Sequence, residues 1–229
     1  ISKPMSAWKA WNQTPTEYFQ QIEENSIYQA RFTRKLYEIH RSFAEELANM
    51  LDLRGVKRLL DLGGGSGVVS FALLRKHDYL SSVVVDIESV YQTGRVIAAE
   101  NKLEKRITYV AADFLKDNLP TEFDMVMLCD VGSFSEFLFR RIYDVLPQKG
   151  RLVIVDKFAT SRISAPPSRL LSAFVNSLAS PAQSVDYITI EVVLTRLQQA
   201  GFRDFSAIDV PHTDHLPWNI DWTMVEAQK

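Results

Sequence analysis

A short apolar run, Leu59-Leu60-Asp61-Leu62, ends in four glycines within five residues, Gly63-Gly64-Gly65-Ser66-Gly67, and passes straight into a helix-like stretch over 68–75. An unbroken apolar run of this length reads as a strand buried on both faces, and the glycine cluster as a tight turn into a helix. A strand of that kind needs parallel neighbours, because a helical crossover returns the chain to the same end of the sheet.

The neighbours follow in order. Strand-like runs at 82–86, 106–110, 123–129 and 151–156 are separated by helix-like runs at 89–101 and 134–146. The tail changes character: helices are expected at 168–178 and 191–200, the second closed by Gly201, and strands at 205–210 and 222–226 with no helix between them. The expected fold is therefore α/β, a mostly parallel seven-strand sheet flanked by helices and finished by an antiparallel C-terminal hairpin. Before it, Thr14-Pro15-Thr16-Glu17 has the signature of a helix start. Ile22, Phe32, Leu36, Ile39, Phe43, Leu47 and Leu51 then recur at threes and fours between charges, which predicts one or two amphipathic helices. The chain divides on this reading into a helical cap or lid over 1–54 and a ligand-binding domain over 55–229.

Charge and cysteine content remove several function classes. With 26 Lys and Arg against 28 Asp and Glu, the net charge of -2 gives no electrostatic grip on a phosphate backbone, so no nucleic-acid partner is expected. The single cysteine, Cys129, excludes an intrachain disulfide framework and a multi-thiolate zinc site, and with four histidines no metal site is expected. No apolar run is long enough to span a membrane, and the expected location is the cytoplasm.

The glycine turn lets a backbone approach a ligand closely. It fails the dinucleotide spacing, because the position that should carry the third glycine is Val68 counting from Gly63 and Ser70 counting from Gly65. What stands instead is Asp61-x-Gly63-x-Gly65-x-Gly67, an acid at the strand end beside a tight turn, which suits a cationic amino-acid moiety such as that of S-adenosylmethionine. Asp86 ends the apolar run Val83-Val84-Val85, where a carboxylate accepts from both ribose hydroxyls, and Ala111-Ala112-Asp113-Phe114 follows the third strand, with Asp113 placed for an adenine amino group and Phe114 for the base.

Leu60-Asp61-Leu62-Gly63-Gly64-Gly65-Ser66-Gly67, Asp86-Ile87-Glu88-Ser89-Val90, Ala112-Asp113-Phe114-Leu115 and Tyr143-Asp144-Val145-Leu146-Pro147 with Gly150 together resemble the catalytic domain of the S-adenosylmethionine-dependent small-molecule O-methyltransferases, the group of caffeic-acid-type plant enzymes and bacterial polyketide-tailoring enzymes. The resemblance runs over about 28–226. It implies a Rossmann-like class I methyltransferase sheet, with S-adenosylmethionine held by Asp61, Gly63, Gly64, Gly65, Asp86, Ile87, Asp113, Phe114 and Cys129, and S-adenosylhomocysteine as product. It implies O-methylation of an aromatic or polyketide-like small molecule. Family members carry a dimerisation domain before this part; the chain opens on Ile1, with 62 residues before the glycine turn, so that domain is expected either to be lost or to lie upstream. A homodimer, favoured by Trp8, Trp11, Tyr18 and Phe19 if exposed, stays open.

One departure cuts against that implication. Where the family carries His-Asp-Trp, whose histidine is the general base, this chain has Cys129-Asp130-Val131. Asp130 is the nearest titratable replacement and the candidate catalytic residue, with a turn cap as its other role. His212 and His215 lie in a proline-bounded loop, and His40 and His77 read as surface residues. Tyr28, Phe32, Phe134 and Phe174 are candidates for the substrate wall. The missing histidine leaves N- or carboxyl-methylation open, and also a non-methylating relative that keeps the cofactor cradle.

Overall fold

The computed structural model describes residues 26–158, 188–211 and 222–229. The expected helix start at 14–17, the helix at 168–178, and Trp8, Trp11, Tyr18, Phe19, Phe174, His212 and His215 lie outside the described residues.

Helix α1 (Ser26–Met50) leads into strand β1 (Arg58–Leu62), helix α2 (Val68–Lys76), strand β2 (Ser81–Asp86), helix α3 (Glu88–Glu100) and strands β3 (Ile107–Ala111) and β4 (Met125–Cys129). Helix α4 (Glu136–Val145), strand β5 (Arg151–Asp156), helix α5 (Ile190–Ala200) and strands β6 (Arg203–Val210) and β7 (Trp222–Gln228) complete the described fold. The seven strands form one sheet in the order β3-β2-β1-β4-β5-β7-β6. The pairings among β1 to β5 are all parallel, and β7 runs antiparallel between β5 and β6. The predicted α/β sheet with its antiparallel C-terminal hairpin is the observed one.

Two cores sandwich that sheet. On one face Leu59, Met125, Met127 and Val153 meet Phe43 and Leu47 of α1 and Phe71 of α2. On the other, Leu60, Val126, Leu128 and Ile154 meet Phe139 and Ile142 of α4 and Val193 and Leu197 of α5. Burial on both faces explains why β1, β4 and β5 read as unbroken apolar runs. The helix ends follow local chemistry as well. Ser135 Oγ accepts from Leu138 N at 3.1 Å and starts α4, and Gly201, at φ 108°, closes α5 as expected.

Two boundaries moved for identifiable reasons. β4 begins at Met125 rather than at residue 123, because Phe123 is already buried, with the Arg58 guanidinium 4.9 Å from its ring centroid, and Asp124 accepts from the backbone N–H groups of Lys57 and Arg58. β6 begins earlier than predicted, because as an edge strand it exposes every residue but Val210 and carries no alternation to read.

Strand order reverses between β1 and β4. The crevice outside the carboxyl ends of strands at such a point is where open α/β sheets bind ligands.

Candidate functional site

A cavity of about 220 Å³ opens at that crevice. Its floor is the glycine turn after β1 with Asp61 and Asp86, one side is Cys129 and Asp130 at the end of β4, and Phe32, Thr33, Leu36, His40 and Phe43 of α1 close it with Trp222 of β7.

Asp61 is the most constrained polar group in the site. Its carboxylate is buried, Oδ2 accepts from Ser70 Oγ at 2.7 Å, and Ser70 shares a 2.8 Å hydrogen bond with Ser82. Oδ1 is buried with no hydrogen-bond partner. Burial pushes the carboxyl up to about 7, opposed by the Ser70 hydroxyl and reinforced by nearby Asp86. An orphaned carboxylate oxygen in a low-dielectric pocket calls for a cation. Glycine is required around it: a Cβ on Gly64 would stand 2.4 Å from Asp61 Cγ, whereas one on Gly65, at φ 59°, would meet nothing within 4 Å. The turn is thus packed on the acid behind it and open on the other side.

Asp86 ties the second strand to the same turn. Oδ2 accepts from Gly65 N and Oδ1 from Ile87 N, both at 2.8 Å, and burial raises its carboxyl against those two bonds. Each oxygen keeps acceptor capacity for a diol. Tyr109 of β3 braces the turn from below by donating to Ser66 O at 2.7 Å.

The remaining sequence candidates separate. Cys129 lines the cavity, and burial, with Asp130, Asp61 and Asp156 adding, pushes its thiol well up, which suits a packed wall rather than a nucleophile. Asp130 also lines it, in the left-handed region at φ 55°, with Oδ1 accepting from Lys157 Nζ at 3.3 Å. Phe32 lines it from α1. Ile87 is exposed just beyond Asp86 and is not on the cavity wall. Asp113 is also off that wall: it pairs with Lys116 at 2.8 Å and accepts from Leu115 N, and both hold its carboxyl below the usual range. Phe114 flanks the turn, its ring edge 3.2 Å from where a Gly63 Cβ would stand.

Two of the substrate-wall residues sit elsewhere. Tyr28 is about half exposed at the start of α1 and does not line the cavity. Phe134 is buried in the opposite core, its ring centroid 5.4 Å from that of Phe158, because it enters α4 on the far face of the sheet.

Sequence reasoning named Phe32 of this wall but missed Leu36 and His40 of α1 and Trp222 of β7. His40, read there as a surface residue, is half-buried, with the Trp222 ring centroid 6.4 Å away in an edge contact and that of Phe43 at 6.5 Å. The spacing Phe32, Leu36, His40 is one residue per turn along a single helix face, and that period was the available signal. Trp222 had none, since its partners come from α1 and from Lys157, whose ammonium lies 4.2 Å from its ring centroid.

Comparison with known proteins decides the family. The model of the O-methyltransferase domain matches residues 6–203. The chain belongs to that family. Among curated relatives of this O-methyltransferase domain, an L-tyrosine C(3)-methyltransferase of Streptomyces lavendulae is 29% identical over 85% of this chain and 55% of its own length. A 3-hydroxy-5-methyl-1-naphthoate 3-O-methyltransferase of Streptomyces sahachiroi is 36% identical over 59% of this chain and 41% of its own. The chain therefore spans about half the length of the curated relatives it matches. The structure of human N-acetylserotonin methyltransferase in complex with SAM superimposes with a TM-score of 0.75 at 23% identity, covering 98% of this chain and 62% of that one. Its fold is the class I methyltransferase fold found here. Among the described residues of this O-methyltransferase domain no helix is long and apolar enough to cross a membrane, and no three His, Cys, Asp or Glu side chains gather to hold a metal ion.

Proposed function

We propose that this chain is the donor-binding and catalytic part of an S-adenosylmethionine-dependent methyltransferase that methylates an oxygen of a small aromatic or polyketide-like molecule. The observation that carries the reading is the orphaned Asp61 Oδ1 beneath a glycine turn whose open side faces the cavity. The ammonium of the methionine moiety answers that oxygen, and the two carboxylate oxygens of Asp86, already oriented by Gly65 and Ile87, take the ribose hydroxyls. Cys129 adds a packed wall, and Asp113 and Phe114, after the third strand, serve the adenine. When bound, S-adenosylmethionine supplies a methyl group on a sulfonium, reactive without a Lewis acid, and the reading therefore includes no metal.

This chain's part is alignment and exclusion of water. Holding the acceptor atom within about 3 to 3.5 Å of the methyl carbon converts an encounter into an intramolecular displacement. Phe32, Leu36, Phe43 and Trp222 supply an apolar wall on the acceptor side. Residues 1–54 act on this reading as the lid over the 55–229 domain, supported by the α1 residues among the lining.

The named relatives include C-, O- and N-methyltransferases. Cys129-Asp130-Val131 in place of His-Asp-Trp favours a second reading, N- or carboxyl-methylation, in which the acceptor has its lone pair ready. The aromatic acceptors in the names of two relatives, tyrosine and a hydroxynaphthoate, support the first. The net charge of -2 supports a small-molecule partner over nucleic acid, and the lone cysteine fits the cytoplasm. Self-association as a homodimer belongs to the same reading by the family's habit.

The test is transfer of a labelled methyl group to a panel of phenols, carboxylic acids and amines. Label in phenols or hydroxynaphthoates supports O-methylation; label in amines or acids alone selects the second reading. No transfer to any acceptor by protein that binds S-adenosylhomocysteine leaves the cradle without its chemistry.

A further inference from the structure

The O-methylation reading lacks a base, and α1 carries one to the cavity. We propose that His40 is the general base for the acceptor hydroxyl, reaching the site from the covering helix rather than from the end of β4. The inference rests on the cofactor reading above and deepens it.

Elimination narrows the choice. Asp61 and Asp86 belong to the floor, where Asp61 Oδ2 accepts from Ser70 Oγ and the Asp86 oxygens accept from the backbone N–H groups of Gly65 and Ile87. The Cys129 thiol is pushed up by burial, so a phenol cannot give it a proton it already holds. Asp130 is engaged elsewhere, its Oδ1 accepting from the Lys157 ammonium at 3.3 Å. His40 is the one imidazole among the described residues lining the cavity, and imidazole near neutrality is the suitable base for that proton. Its position is set by packing: the ring makes edge contacts with Trp222 and Phe43 on the wall that α1 and β7 form. The titratable groups sharing the cavity are Asp61 from β1, Asp86 from β2, and Cys129 and Asp130 from β4, with Lys157 behind Trp222.

The step balances. A ring nitrogen of His40 takes the hydroxyl proton as the acceptor oxygen uses a lone pair to form the bond to the methyl carbon. The carbon–sulfur bond breaks with its electron pair staying on sulfur, which becomes a neutral thioether, and the imidazolium returns its proton to solvent.

The test compares the full chain with His40→Gln, each saturated with S-adenosylhomocysteine and given 4-nitrophenol, whose ionised form is coloured. Both should bind S-adenosylhomocysteine in calorimetric titration, showing that the variant is folded and that the cofactor reading holds. If the parent itself binds no S-adenosylhomocysteine, it is the cofactor reading that falls. With both loaded, the proposal expects bound nitrophenolate in the parent and its loss in the variant. The same phenolate fraction in both, large or nil, overturns it. Methyl transfer to a phenol should fall about 10²- to 10⁴-fold in His40→Gln and recover in part when imidazole is supplied to His40→Ala. Parental turnover in either variant overturns the assignment.

Discussion

Asp61 and Asp86 do different work with the same functional group. Asp61 holds its proton up to about 7 because burial disfavours the anion, whereas a bound ammonium favours the anion; binding below that pH must therefore expel the proton. Affinity for S-adenosylhomocysteine should accordingly rise as pH increases from about 5 to about 7 and level off above, with a matching proton release in calorimetry in buffers of different ionisation enthalpy. Asp61→Asn should flatten most of that slope; an unchanged slope would show that Asp61 does not meet the ammonium. Asp86→Ala should weaken binding by about 1 to 3 kcal/mol through lost hydrogen bonds to the ribose, and a variant of parental affinity would remove Asp86 from the site. Both acids were legible in the sequence because each falls at the carboxyl end of an apolar strand, Asp61 one residue before the last and Asp86 the last. Asp113 sits in the same relative place after β3 yet pairs with Lys116 in the described conformation, a contact three residues along that strand-end position alone does not announce.

Elements show where sequence reading runs out. The sheet was legible because strands buried on both faces leave continuous apolar runs, and α2 to α5 because each lies between two of them. α1 was legible as a helix, but which of its faces meets the cavity depends on the approach of β7, more than 170 positions away in the chain, and no local pattern encodes that. A second case of long-range fit is Gly94 on α3. Alanine there should favour the helix by about 1 kcal/mol. Its Cβ, however, would stand 2.4 Å from Tyr109 Cε1, on the residue whose hydroxyl braces Ser66. Packing should win: Gly94→Ala is expected to cost about 1 to 3 kcal/mol in denaturant unfolding and to weaken S-adenosylhomocysteine binding through the turn. A variant as stable as the parent would show that Tyr109 shifts freely and does not brace the turn. Trp222 ties α1 to β7 through Phe43, their ring centroids 4.7 Å apart, and Trp222→Ala should cost about 3 to 5 kcal/mol, read as a lower denaturation midpoint. A smaller loss would mean that the helix is held by α2 and α3 alone.

At the scale of the whole molecule, one crevice gathers groups from β1, β2, β4, β7 and α1, so a ligand there links elements that otherwise meet only through the sheet and its cores. Occupancy should consequently stabilise the entire chain: at a concentration 100 times Kd the gain is about 2.7 kcal/mol, visible as a rise in Tm. The central claim is that the crevice is an S-adenosylmethionine site, and the most direct measurement is calorimetric titration of the chain with S-adenosylhomocysteine, with NAD in parallel. The account predicts one saturable site per chain for S-adenosylhomocysteine and no heat of binding for NAD, whose glycine spacing the turn does not match. Binding of NAD, or of neither ligand, would contradict it.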